Sequence, residues 1–94
     1  MLSKIPIDIK NVAAKDINKE ILRFAIIAEL DAISLYEQMA SMAENDRVKR
    51  VLLDIAKEEK THVGEFQSLL MKEDGQQEVE LEMGKKEVEE KFSK

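Results

Sequence analysis

Two apolar stripes with helical spacing run along this chain, and each is interrupted at its centre by side chains that bind metals. The first stripe has a carboxylate in its middle and comprises Leu22, Ile26, Glu29, Ile33, Tyr36, Ala40 and Ala43. The second has a carboxylate and the only histidine of the chain, and comprises Val48, Leu52, Ile55, Glu59, His62, Phe66 and Leu69. Steps of three and four residues place each set along one face of a helix, so the sequence predicts two amphipathic helices.

A polar turn around Asn45 separates the two predicted helices. Asp16 is a candidate N-cap for a first helix that runs to about residue 44, and Asp46 for a second helix that runs to about residue 72. Glu29 lies about as far before the turn as Glu59 and His62 lie after it. In an antiparallel hairpin the three side chains are therefore expected at the same level along the helix axes. A buried carboxylate needs a partner, and a metal ion supplies one.

The first helix has an apolar face too wide for one partner helix to cover. A further stripe lies beside that of Glu29, at Ile17, Ile21, Phe24, Ala28, Leu35, Met39 and Met42. Pairing of two copies into a four-helix bundle buries such faces. It also supplies Glu29, Glu59 and His62 twice, which is the ligand set of a ferritin-like di-iron bundle. The predicted fold is therefore all-α, a two-helix antiparallel hairpin that completes a four-helix bundle by dimerisation, with iron or manganese between the chains.

Composition excludes several other classes of site. The chain has 94 residues, a formal charge of −5 and no cysteine. Without thiolates, zinc-finger and iron–sulfur sites are excluded, and the negative charge argues against binding nucleic acid. Residues 1–8 contain no apolar run long enough for a signal peptide or a membrane span, so we expect a cytoplasmic protein.

The chain divides into three predicted segments. Residues 1–15 form an N-terminal arm, since Pro6 and alternating isoleucines disfavour a helix. Residues 16–74 form the ferritin-like hairpin. Residues 75–94 form a C-terminal tail with breaks at Gly75 and Gly84, and its last ten residues are predicted to be a short helix or a linker.

Each singled-out residue also has a plainer interpretation. Glu-x-x-His by itself is typical of a solvated surface pair in a Glu-rich chain, and only its place in an apolar stripe level with Glu29 favours metal binding. Tyr36 fits an amphipathic core residue as well as a position near the metal. The remaining acidic residues of the helices fall outside the stripes and are expected to be solvated, namely Asp31, Glu37, Glu58 and Glu65.

The chain resembles the encapsulated ferritins, short ferritin-like proteins associated with encapsulin nanocompartments. The similarity covers about residues 18–72, through IAELDAISLYEQM at 27–39 and EEKTHVGEF at 58–66. It implies two-helix chains that pair around a ferroxidase site and assemble into a ring of five dimers, a decamer. It also implies that Glu29, Glu59 and His62 bind iron, with Tyr36 nearby as a catalytic residue.

Two features depart from that family's pattern. Some members have glutamates immediately before and two residues after the first ligand, where they form a site for incoming metal. This chain has Ala28 and Asp31 there. Many members end in a Gly- and Leu-containing peptide that docks into the shell, whereas residues 91–94 read KFSK. In some archaeal relatives the ferritin-like domain is fused to the shell protein, so the tail is also interpretable as part of a linker.

The predicted function is therefore a ferroxidase that oxidises Fe(II) with O₂ at a di-iron site shared by two subunits and supplies iron for storage in an encapsulin nanocompartment. Two alternatives remain from the sequence. One is a dinuclear peroxidase of rubrerythrin type with the same ligands, which would need an external electron donor because the chain has no cysteine for a rubredoxin centre. The other is a non-enzymatic, metal-stabilised dimerisation module.

Overall fold

Three α-helices make up most of the computed structural model of this protein, which describes residues 12–93. A 3₁₀ turn, Ala14–Asp16, leads into helix α1, Ile17–Met42. Helix α2 spans Asp46–Glu73, and helix α3 spans Gly75–Phe92. The all-α class predicted from the sequence is confirmed. Residues 1–11 of the predicted N-terminal arm lie outside the described residues.

Helices α1 and α2 pack along their length as a hairpin, because only residues 43–45 connect them. Ile33 and Ala40 on α1 and Ala56 and Leu70 on α2 form the buried core of the described chain. The two core residues of α1 belong to the predicted Glu29 stripe. Those of α2 each follow a predicted stripe position by one residue, so the buried face of α2 includes positions beside the predicted stripe.

Several apolar side chains of the hairpin are not covered by the rest of the described chain. Val48 and Leu69, at the two ends of the predicted α2 stripe, are 51% and 50% exposed. Met42 and Val51 near the connection are also exposed. Exposed apolar side chains on a two-helix hairpin form a surface that a partner in a four-helix bundle would bury.

The start of α2 corrects one predicted cap. Asn45, and not Asp46, precedes the helix, and its Oδ1 accepts hydrogen bonds from the backbone N–H groups of Arg47 at 2.9 Å and Val48 at 3.1 Å. Asp46 is the first residue of the helix, where its negative charge favours the positive end of the helix dipole. Helix α1 ends at Met42, two residues before the predicted position.

Asp16, the predicted cap of α1, precedes that helix but caps none of its N–H groups through its side chain. Its backbone is already helical, because the 3₁₀ turn runs directly into α1. The Asp16 carboxylate instead lies 3.3 Å from the ammonium group of Lys19, one turn later. The helix therefore starts by continuing the 3₁₀ turn.

The C-terminal segment differs most from expectation. The predicted end of the second helix before Gly75 is confirmed, since α2 ends at Glu73, but Gly75 itself begins α3. The predicted break at Gly84 is wrong because α3 continues through it. The interruption between α2 and α3 lies at Asp74, whose φ of −139° and ψ of 88° are not helical. Gly84 lies among good helix formers such as Met83 and Lys85, so one glycine does not stop the helix. None of the helices in residues 12–93 has the length and apolar content needed to span a membrane.

Candidate metal centre

The hairpin brings together the three predicted metal ligands. Glu29 lies at the middle of α1, while Glu59 and His62 lie one turn apart at the middle of α2. One oxygen or nitrogen from each of the three side chains lies within 4.8 Å of the other two. Among His, Asp and Glu in the described range, this is the group of three that meets the requirement for a shared cation.

His62 stands between the two carboxylates. Its Nδ1 atom is 3.4 Å from Oε2 of Glu59 and 3.5 Å from Oε2 of Glu29. Both separations exceed the usual hydrogen-bond length of about 3 Å. The N–H group at Nδ1 can make a good hydrogen bond to only one of the two carboxylates. A cation among the three atoms would attract both carboxylate oxygens and accept the imidazole lone pair.

The burial of the group is uneven. The Glu29 and Glu59 side chains are each 19% exposed, while the His62 side chain is 44% exposed. The carboxylates therefore lie toward the seam between α1 and α2, and the imidazole lies toward its open side. That open side is where further ligands from another molecule would have to enter.

One atom of the group lacks a hydrogen-bond partner. Oε2 of Glu29 is buried and accepts no hydrogen bond. A buried carboxylate oxygen in this state is costly, because it has lost water and gained nothing in exchange. Carboxylate and imidazole donors suit a divalent transition metal such as iron, so the residues present fit a metal ion at this position.

Two other predicted residues lie outside the converging group. Tyr36 is half-buried on α1, seven residues after Glu29, and so lies about 10 Å further along the helix axis. A role for Tyr36 beside the metal remains a prediction. Asp31, the neighbour considered for incoming cations, is half-buried and interacts with other groups.

The structure also reveals two ion pairs that sequence patterns did not indicate. Glu37, expected to be solvated, lies with its Oε2 atom 2.9 Å from Nζ of Lys60 and so links α1 to α2. Arg23 of α1 contacts Asp74, at the junction of α2 and α3, at 2.9 Å. Both pairs join residues that are far apart in the chain, so no local spacing signals them.

A family model described as Rubrerythrin matches residues 20–94. The ferritin-like–encapsulin shell fusion protein of Pyrococcus furiosus is 61% identical over 71 residues, which cover 76% of this chain and 21% of that relative. The chain thus spans about a fifth of the relative's length. The crystal structure of the encapsulated ferritin domain from Pyrococcus furiosus matches with a TM-score of 0.83 and 48% identity, covering 100% of this chain and 96% of that one. The chain therefore belongs to the rubrerythrin family and has a ferritin-like fold similar to that of the encapsulated ferritins, as its sequence motifs predicted.

Proposed function

We propose that two copies of this chain pair through their hairpins and act as a ferroxidase, oxidising Fe(II) to Fe(III) with O₂ at a di-iron site shared between them. The observation that carries this proposal is the convergence of Glu29, Glu59 and His62, whose ligand atoms lie within 4.8 Å of one another. The buried Glu29 oxygen without a hydrogen-bond partner supports it, because a cation would stabilise that atom.

The requirement for two copies follows from ligand number and charge. One chain offers two carboxylates and one imidazole, whereas dinuclear bundles of this type use about four carboxylates and two imidazoles. A two-fold axis beside the exposed face of His62 would duplicate the set. Four carboxylates neutralise two divalent ions, so iron binding should stabilise the pair, and the metal-free pair should suffer repulsion among the acids.

In this function Fe(II) is the substrate, and the side chains hold it and adjust to its charge. Two Fe(II) ions give up one electron each, and one O₂ accepts both electrons and two protons to form hydrogen peroxide. Glu29 and Glu59 are suited to the change because additional carboxylate interactions stabilise the higher charge of Fe(III). His62, with its 44% exposed side chain, lies on the side from which ions reach the carboxylates. Tyr36 is included in the proposal as a residue near the site.

We further propose that the product is stored within an encapsulin nanocompartment. The fusion of a ferritin-like segment to an encapsulin shell in the Pyrococcus furiosus relative supports this association. The decameric ring of five dimers and the location inside a cytoplasmic compartment belong to the same proposal. A pull-down of this chain with an encapsulin shell protein, compared with an unrelated four-helix bundle, tests the association.

Substitution of a single ligand tests the site. Glu59→Gln should abolish rapid Fe(II) oxidation, measured by O₂ uptake and by the absorbance of Fe(III), since it removes a symmetric pair of charged ligands. Glu58→Gln is the matched control, because Glu58 is the adjacent exposed carboxylate of the same helix. Helicity should survive in both variants, and the metal-free Glu59→Gln protein should melt no lower than wild type because a repulsive charge is gone. Full activity in Glu59→Gln would contradict the assignment.

Iron counting tests the sharing of the site. Anaerobic titration with Fe(II), followed by gel filtration, should give about one iron per chain and two per pair. Pairing should strengthen with iron, since a ligand that binds only the paired state stabilises it. Two irons bound to an isolated single chain would rule out the shared site.

A rubrerythrin-type peroxidase is the second candidate, favoured by the description of the matching family model. It would use the same three side chains but consume peroxide, with electrons from an external donor. Parallel measurements of O₂ and hydrogen peroxide consumption by the iron-loaded protein distinguish the two reactions. Consumption of neither would leave metal-stabilised dimerisation as the function.

A further inference from the structure

The junction between α2 and α3 is built around one carboxylate with two tasks. Oδ1 of Asp74 accepts a hydrogen bond from the backbone N–H of Gln77 at 3.1 Å and so caps the start of α3. Oδ2 of the same side chain accepts a hydrogen bond from Nη2 of Arg23 at 2.9 Å. Arg23 belongs to α1, 51 residues earlier in the chain, so this side chain joins all three helices.

The arginine is itself held in place. Its Nη1 atom donates to Oε1 of Glu20 at 2.8 Å, one turn before it on α1. The guanidinium group thus bridges two carboxylates through different nitrogens, and its planar fork limits the positions available to Asp74. The Asp74 side chain is 13% exposed and that of Arg23 is 42% exposed, so the ion pair lies at a partly solvated surface.

Helix α3 also meets the hairpin through apolar side chains in its first half. Gln77 and Leu81 form one wall of an open apolar groove whose other walls include Ile26 of α1 and Leu70 of α2. Beyond Gly84 the helix projects outward, since Val88 and Phe92 are 59% and 75% exposed. A helix of 18 residues attached by its first turns acts as a lever, so small changes at its base move its far end substantially.

We infer that Arg23 and Asp74 form a latch that fixes the direction of α3 relative to the α1–α2 hairpin. The cap from Asp74 starts the helix, and the ion pair with Arg23 sets its angle. The two tasks are chemically separable, because an asparagine at position 74 still accepts from the Gln77 N–H but no longer attracts a guanidinium ion.

Distance measurements test the latch directly. The chain has no cysteine, so spin labels can be attached at Asn18→Cys on α1 and Glu89→Cys on α3, both of which are exposed. Labelled protein diluted with excess unlabelled protein reports distances within one chain by pulsed electron paramagnetic resonance. We expect a narrow distance distribution in the otherwise wild-type protein.

Breaking the ion pair should broaden that distribution without melting α3. Asp74→Asn and Arg23→Gln should each increase its width at least twofold, with unchanged helicity by circular dichroism, and the double variant should be no broader than either single one. Lys60→Gln is the control, because it breaks the ion pair with Glu37 at a site away from the junction. It should leave the distribution unchanged.

An unchanged distribution in both Asp74→Asn and Arg23→Gln would overturn the inference. If the distribution then broadens in Leu81→Ala, apolar packing alone sets the angle. Binding of an apolar dye gives a second measurement, because a loosened α3 exposes the groove, and the dye signal should rise in both latch variants but not in Lys60→Gln.

Discussion

At the scale of single residues, the group formed by Glu29, Glu59 and His62 has an electrostatic environment that differs from that of other acids in the described protein. Glu29 and Glu59 are largely buried beside His62, and one Glu29 oxygen has no hydrogen bond. Elsewhere an acid such as Glu37 has a basic partner, since its Oε2 lies 2.9 Å from Nζ of Lys60. The arrangement of Glu29 and Glu59 lowers the stability of the chain when no cation is present, as is expected of the proposed metal site.

Asp74 should make the stability of the chain depend on acid pH. The hydrogen bond from the Gln77 N–H is the main reason that the pKa of the Asp74 carboxyl lies below its ordinary value of 3.8, with Arg23 and Lys19 adding to the effect against partial desolvation. A carboxyl whose pKa is lower in the folded state than in the unfolded state stabilises the fold above the unfolded pKa. This contribution is lost as the pH falls below about 4 and through the folded-state pKa.

The measurement compares urea unfolding of wild type and Asp74→Asn at pH 7 and at pH 3. The wild type should be the more stable protein at pH 7, and the difference should shrink at pH 3, because the Asp74 carboxyl of the unfolded chain is then largely protonated and its charge stabilises the fold less. An equal difference at both pH values would show that the charge of Asp74 does not stabilise the fold.

At the scale of helices, the hairpin depends on how its second helix begins. Asn45 accepts from two backbone N–H groups of the first turn of α2, those of Arg47 and Val48. Replacing Asn45 by Ala should lower the free energy of unfolding by about 1 kcal/mol, because both donors lose their acceptor. Asn45→Asp should retain most of that stability, since aspartate caps equally well. Urea unfolding of the three proteins checks the prediction. An Asn45→Ala protein with the same free energy of unfolding as wild type would contradict it.

Helix α3 offers a complementary test at Gly84. The residue is helical, and a methyl group added to it would meet no atom within 4 Å. Gly84→Ala should therefore increase the free energy of unfolding by about 0.5–1 kcal/mol and raise the helical circular dichroism signal, because alanine loses less conformational freedom on folding. A destabilised or less helical Gly84→Ala protein would indicate that the chain bends at this position.

At the scale of the whole molecule, the single chain exposes more surface than a compact protein of its mass. Its accessible area is 7465 Å² for 10.8 kDa, whereas a compact monomer of that size exposes about 5,500 Å². The described core consists of four side chains, two of them alanines. The excess area is enough for a standard interface of about 800 Å² per partner, which favours pairing of two copies.

The two-helix architecture also predicts that this protein oxidises iron without storing it. A two-helix hairpin uses its apolar face for pairing, so assemblies of such pairs lack the sealed cavity of a four-helix ferritin subunit shell. With excess Fe(II) in air, the protein alone should produce Fe(III) that precipitates, and co-assembly with an encapsulin shell should keep that iron soluble. Electron microscopy of a soluble, mineral-filled particle formed by this chain alone would contradict the prediction.

The sequence by itself determined the features that depend on residues close together in the chain. Helical periodicity placed Glu29 at the middle of one apolar stripe and Glu59 and His62 at the middle of the next, and the length of the chain on either side of the turn made them level. These relations follow from the fixed rise and repeat of the α-helix, so the hairpin and the converging triad were both predictable. The motif around them was also sufficient to identify the family.

Only the tertiary structure decided what depends on contacts between distant residues. The burial of Ala56 and Leu70, each one residue beyond a predicted stripe position, depends on packing against α1 and is not indicated by the apolar stripe. The end of α2 before Gly75 was predictable, but the helix through Gly84 was not, because glycine usually weakens a helix. The break between the two helices lies at Asp74, which accepts a hydrogen bond from Arg23, 51 residues away. Local patterns thus specify helices and their faces, while the angle between helices depends on long-range ion pairs and packing that become visible only after the chain has folded.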